Sequence, residues 1–163
     1  MAVSKWRDAA LLVAEGIIRV ASIFDVAKYI LEEKCKVSTW KLQKLCFYSQ
    51  AWSLAWTEEP LFPEDFEAWS NGPVCPDLFH ECEGLFMCAK NDVQKGDSSN
   101  LNVDQKETVN IVLRDYGDMK PYELRELSHK EDPWLIARGT LPEGSNCNNV
   151  ITKETICAYY RSL

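Results

Sequence analysis

TWKLQKLCFYSQAWSLAWT, residues 39–57, is the stretch on which the fold turns. At helical spacing Leu42, Leu45, Cys46, Trp52 and Trp56 share one side, and Phe47, Ala51, Leu54 and Ala55 carry the apolar surface around the cylinder. A helix that is apolar on most of its circumference has to be a central one, with other elements packed around it. Ser38 stands where an N-cap belongs, and Pro60 ends the helical run.

Working outward, Ile23, Phe24, Val26, Ala27, Ile30 and Leu31 form one stripe of a helix over 23–34, with Ser22 and Asp25 at capping-box spacing. Lys28 and Glu32 form an outer i,i+4 pair. After the central helix, residues 66–69 read as a strand, and Asn71-Gly72 is a turn signal, which predicts a small β-hairpin around residues 66–75. A third helix is expected from Pro76, carrying Leu78, Phe79, Cys82, Leu85 and Phe86. The polar stretch 91–102 reads as a flexible loop. A helix over 103–116 follows, with Asp104 and Glu107 at capping-box spacing and Gly117 as its C′ residue. Shorter helices are expected over 121–128 and from Pro133, capped by Asp132, to Gly139. Residues 140–150 read as loop. The last helix, 153–161, has Thr152 as N-cap and Ile151 and Ile156 at staple positions. The expected fold is mainly α, with six to seven helices in one compact domain and one small hairpin.

The 163 residues suit one domain. Residues 1–21 are read as an N-terminal extension, helical in pattern, and 22–163 as the domain proper. Ala9 to Val20 resembles a leader, but Glu15 and Arg19 interrupt it and no small-residue cleavage site follows. No apolar run reaches the roughly 18 residues of a membrane span. Six Trp, each with an apolar area on the order of 200 Å², are enough for a substantial core with some aromatic surface left for binding. The net charge of −7 repels phosphate backbones, which disfavours direct nucleic-acid binding and suits a basic protein partner. Seven cysteines, an odd number without a disulfide-framework spacing, fit a reducing cytoplasm.

Motifs for chemistry are missing from the sequence. No glycine-rich phosphate loop, G-x-S-x-G or H-E-x-x-H occurs. Cys75, His80, Cys82 and Cys88 are the nearest approach to a metal set, but their spacing lacks a C-x-x-C knuckle, and His80 and Cys82 lie on different sides of the expected helix. Buried thiols and a surface histidine account for them better. No local signal marks an activated thiol beside His80 or His129. The reading is a protein without catalytic residues, metal or cofactor.

Three constellations carry information: Lys41-Leu42-Gln43-Lys44-Leu45 with Tyr48-Ser49-Gln50-Ala51-Trp52; Glu67-Ala68-Trp69-Ser70-Asn71-Gly72-Pro73-Val74-Cys75-Pro76; and Leu127-Ser128-His129-Lys130-Glu131-Asp132-Pro133-Trp134 with Ala137-Arg138. In order and spacing they resemble the Panacea domain, the SocA-like antitoxin and phage-associated family. Its pattern runs K-L-Q-K-L-L-Y-Y-A-Q-x-W, then E-A-W-x-x-G-P-V-x-P, then T-H-x-E-x-P-W. The resemblance covers residues 22 to 163. Cys46 and Phe47 depart from the usual Leu-Tyr, and Ser128 from the usual Thr.

The resemblance implies an antitoxin-like domain that binds and neutralises a cognate protein toxin, associated with a prophage. Its alternatives are an adaptor delivering the toxin to a Clp-type protease, and a solitary phage protein acting on another host target. The residues set no oligomeric state. Partner-binding residues are expected among Lys41, Lys44, Gln50, Trp69, Asn71, Gly72, Pro73, Pro76, His129 and Trp134. Two readings stand for each group. Lys41, Gln43, Lys44 and Gln50 are either a polar face kept for a partner or, more simply, groups bonded to neighbouring backbone or carboxylates, since buried polar groups need partners. The Trp69–Pro76 segment is either a rigid recognition ridge or a structural turn. His129 with Glu131 is either an acid–base pair or, more simply, a hydrogen-bonded corner locking the Pro133-Trp134 turn.

Overall fold

The structure, a computed structural model, describes residues 20–163; the expectation for residues 1–21 lies almost wholly outside the described residues. Helix α1 (Ile23–Lys34) starts as its sequence predicts: Asp25 N–H donates to Ser22 Oγ at 3.3 Å, and Ser22 N–H donates to Asp25 Oδ2 at 2.8 Å. A short strand, β1 (Lys36–Ser38), leads into α2 (Thr39–Thr57), capped by Ser38 Oγ. Glu58, in the left-handed region at φ 57°, ends α2 two residues before Pro60.

Every residue of α2 from Leu42 to Ala51 is buried. That run makes roughly three turns, so the middle of the helix has no solvent face. Helix α4 (Val103–Tyr116), α5 (Pro121–Ser128) and α7 (Lys153–Arg161) pack around α2 together with α1. Phe47 sits at the aromatic centre, edge-on to Tyr48, Phe66 and Tyr160. Trp56 departs from its expected core side: it lies on the last turn, stacked on Trp52 at 5.3 Å, and is 48% exposed.

The hairpin is where the sequence places it. Strand β2 (Phe66–Trp69) pairs antiparallel with β3 (Gly72–Val74), with Trp69 opposite Gly72. The turn residues are Ser70 and Asn71, one place earlier than the Asn-Gly signal, because Gly72 at φ +106° already belongs to the ladder. A third strand, β5 (Val150–Ile151), adds to the other edge of β2 from a segment read as loop.

Helix α3 (Pro76–Glu81) is shorter than expected. Cys82 caps it, Gly84 turns the chain at φ +81°, and Leu85 and Phe86 leave the helix for the surface. Their carbonyls accept from Thr39 Oγ1 and Thr39 N–H, which draws the chain alongside β1 as β4 (Met87–Ala89). The stretch 91–102 is tied down. It forms short 3₁₀ turns at Lys90–Asp92 and Ser98–Asn100, and Asp97 N–H and Asn100 Nδ2 donate to buried Asp25 Oδ1 at 2.7 and 3.1 Å. Its polar composition hid a single buried acceptor on another helix. The α4 capping box is Asn102 with Gln105, not Asp104 with Glu107. Helix α6 (Asp132–Arg138) includes Asp132 and has Glu131 at its N-cap position.

Asp25 therefore holds α1 and the 91–102 segment at once. Asp25→Ala should lower unfolding free energy in urea by about 2–4 kcal/mol, since hydrogen bonds to a charged acceptor are worth more than neutral ones, and should speed amide exchange at Asp97. Gly96→Ala should act in the same direction, because a Cβ there would stand 2.7 Å from the Phe24 backbone, on a residue at φ +81°.

Candidate functional site

Because α2 has no solvent face, its polar side chains must find partners inside. Ser49 bonds back to Leu45 O of its own helix and Tyr48 to the Glu131 carboxyl, whereas Gln43, Lys44 and Gln50 find the backbone of crossing segments. Gln43 holds Cys75 at both ends, its Nε2 donating to Cys75 O at 3.1 Å and its Oε1 accepting Cys75 N–H at 2.9 Å. Gln50 does the same one segment earlier: Nε2 donates to Phe62 O and Oε1 accepts Leu61 N–H, both at 2.7 Å. Lys44 Nζ donates to Pro73 O at 3.1 Å. Two turns of one helix thus grip the chain before and after the hairpin.

Lys44 is the least ordinary of these groups. Burial strips its ammonium of water, and the nearby Arg125 charge adds to the effect, bringing it down to about 7. Gly72 makes the room it needs, since a Cβ on Gly72 would stand 2.5 Å from Lys44 Cε.

The hairpin is held from its other side by α6. Trp134 Nε1 donates to Trp69 O at 2.9 Å, and Arg138 Nη1 donates to Ala68 O at 2.8 Å. Arg138 Nη2 reaches three further carbonyls, those of Pro142, Glu143 and Ser145, at 2.7 to 3.0 Å. The guanidinium lies over the Trp134 ring, with 4.8 Å from Cζ to the centroid. On the displayed face Asn71 is exposed, and Trp69 and Pro76 are half-buried. Trp69 donates from Nε1 to Glu67 at 2.6 Å and packs edge-on to Phe79.

His129 and Glu131 turn to different partners. His129 stacks on Trp134 at 3.8 Å, and its Nδ1 is 3.2 Å from Glu143 Oε1. Burial lowers its pKa, and Glu143 opposes that shift. Glu131 is buried against the aromatic centre, where it accepts the Tyr48 hydroxyl at 2.5 Å; burial raises its pKa and the Tyr48 bond opposes the rise. Among the described residues no ion pair within 4.0 Å joins His129 to Glu131. Of the thiols considered for metal, Cys82 and Cys88 meet at 3.3 Å, whereas His80 is exposed beside Glu83. Among the described residues no group of three or more His, Cys, Asp or Glu is arranged to hold a metal ion.

The ten residues singled out in the sequence thus divide by exposure. Lys44, Gln50, Gly72, Pro73 and Trp134 are buried and hold the hairpin or the chain before it from within. Lys41, Trp69, Asn71 and Pro76 reach the surface in part, Lys41 with its Nζ on Gly117 O at 2.6 Å, whereas the His129 side chain is only 6% exposed. Arg138, within the third constellation but not chosen as a site residue, makes more backbone contacts than any of the ten. Its signal was an arginine four residues after the tryptophan on a short helix.

In a mainly helical domain, Gln43, Lys44, Trp134 and Arg138 thus converge on one short hairpin and the residue that follows it. A family model described as the antitoxin SocA-like, Panacea domain matches residues 42–135, more than half the chain; it takes in the second constellation whole and the other two except for Lys41, Ala137 and Arg138. The chain belongs to the antitoxin SocA-like Panacea domain family. No curated protein and no solved structure matches it.

Two buried ionisable groups set opposite pH dependences. Between pH 7 and the ordinary lysine value of 10.5 the unfolded chain keeps a proton at Lys44 that the folded chain has released, so stability from this site rises with pH. The unfolding free energy of wild type relative to Lys44→Met should increase from pH 7 to pH 9. For Glu131 the folded chain holds its proton above the ordinary 4.5, so stability from this site falls as pH rises through that value. Glu131→Gln should flatten the slope between pH 4.5 and 6. Glu131→Leu should cost about 1–3 kcal/mol by leaving the Tyr48 hydroxyl unpaired.

Proposed function

We propose that the chain is an antitoxin-like binding domain that neutralises a cognate protein toxin by direct contact, without a catalytic step. It acts in the bacterial cytoplasm and travels with a prophage. The observation that carries this reading is the Trp69–Pro76 segment, immobilised from behind by Gln43, Lys44, Trp134 and Arg138. A surface already rigid loses little freedom when it binds, and tryptophan is enriched among the residues that carry binding energy. The net charge of −7 suits a basic partner. No helix among the described residues is long and apolar enough to cross a membrane.

Lys41, Trp69, Asn71 and Pro76 are the contacts; the five buried residues, and His129 with its ring stacked on Trp134, support them from inside the domain. The test is induction of the neighbouring gene in a bacterial host with and without this chain. Growth arrest relieved at an unchanged toxin level is the expected result. Relief with a toxin level that falls only when a Clp protease is present would instead establish the adaptor. A harmless neighbour would favour a solitary phage protein with another target. Trp69→Ala, folded by circular dichroism, should bind the toxin at least about tenfold more weakly; unchanged affinity would remove the hairpin from the interface.

A further inference from the structure

Beside the hairpin lies a pocket of about 240 Å³ lined by Trp40, Lys44, Asn71, Pro121, Tyr122 and Arg125. Its charge is one-sided. Lys44 Nζ has three protons to donate and, among the described residues, one acceptor, the Pro73 carbonyl; no carboxylate comes within ion-pair distance of it. Arg125 adds a second cation. Its Nε donates to Asn71 Oδ1 at 3.2 Å, while its carboxylate partners are Glu126 at 2.5 Å and Glu143 at 3.8 Å, neither of which lines the pocket. Trp40 lies under the lysine, 5.7 Å from Nζ to ring centroid, and Tyr122 stands 61% exposed.

Arg125 carries a fixed charge, and Lys44, lowered to about 7, gains a second one when an anion comes beside it; set between aromatic walls, the pair asks for a small anion. The chain's net charge of −7 repels a polyphosphate strand, so the anion that reaches this spot is best carried by a protein. We propose that the pocket is a carboxylate-binding site, filled when a partner protein inserts an aspartate or glutamate side chain against Arg125 and Lys44. The proposal rests on the antitoxin reading only for the identity of that partner. Burial and the Arg125 charge hold the Lys44 value down, and an incoming carboxylate would oppose both.

The test is a titration of the full chain, following the Trp40 indole and Arg125 Nε signals by NMR. The probes are N-acetyl-glutamate methylamide, its neutral glutamine counterpart, and inorganic phosphate. Saturable shifts with the glutamate probe, absent with the glutamine one, are expected. Arg125→Gln should weaken that binding at least about tenfold, and so should Lys44→Met. If Lys44→Met does not fold, Arg125→Gln and Tyr122→Ala decide the question, since both side chains reach the surface. A response without saturation, an equal response to glutamine, or tighter binding of phosphate overturns the carboxylate site. The same two surface variants, carried into the growth assay, test the source of the anion. Lost rescue supports a partner carboxylate, and undiminished rescue overturns it. If wild type itself fails to rescue, the antitoxin reading falls while the titration still decides the pocket.

Discussion

Helix α2 is buried on every side through its middle, yet its sequence places Gln43, Lys44 and Gln50 there. A buried polar group without a partner costs about 1–3 kcal/mol, so these side chains dictate what must lie next to the helix. Gln43 and Gln50 each offer an amide that matches one donor and one acceptor of a passing backbone, and the segments at Leu61–Phe62 and at Cys75 supply them. The loop carbonyls and amides would otherwise be orphaned as well. The requirement is mutual, and it sets the path of the chain on both sides of the hairpin.

From that constraint the rest of the site follows. The hairpin is clamped by α2 through Pro73 and by α6 through Ala68 and Trp69, so its turn is presented on a rigid base. Arg138 collects four carbonyls, one from β2 and three from the loop after α6, and so joins that loop to the three-stranded sheet. Lys44 and Glu131 are buried ionisable groups held by neutral partners, a carbonyl and a phenol. Each is displaced from its usual titration range by lost hydration. A fold optimised for stability alone would carry apolar groups at such positions. Here the polar choices fix one arrangement of backbone around the displayed segment.

The helices were legible because their apolar spacing and caps are local. Ser22 with Asp25, Ser38 and Thr152 cap where their positions indicate. The hairpin was legible from Asn71-Gly72, within one residue of the turn. The partner-facing and partner-holding roles of the constellations were not separable. Lys44 and Lys41 differ by three places on one helix, yet one is buried at the base of a pocket and the other half-exposed, according to which neighbour covers each. The end of α3 misled because Leu85 and Phe86 continue its apolar pattern while Gly84 breaks its backbone.

The sequence by itself determined the central helix, the hairpin, the mainly helical class and the family, since each rests on residues close together in the chain or on three motifs in fixed order. The tertiary structure decided everything that depends on a distant acceptor. Asp25 reaching Asp97, Tyr48 reaching Glu131, Arg138 reaching Ala68 and Arg125 closing a pocket over Lys44 join residues separated by tens of positions. Local patterning reports which face of an element is apolar; it holds no record of which buried donor will meet which carbonyl, because that pairing exists only once the elements are packed.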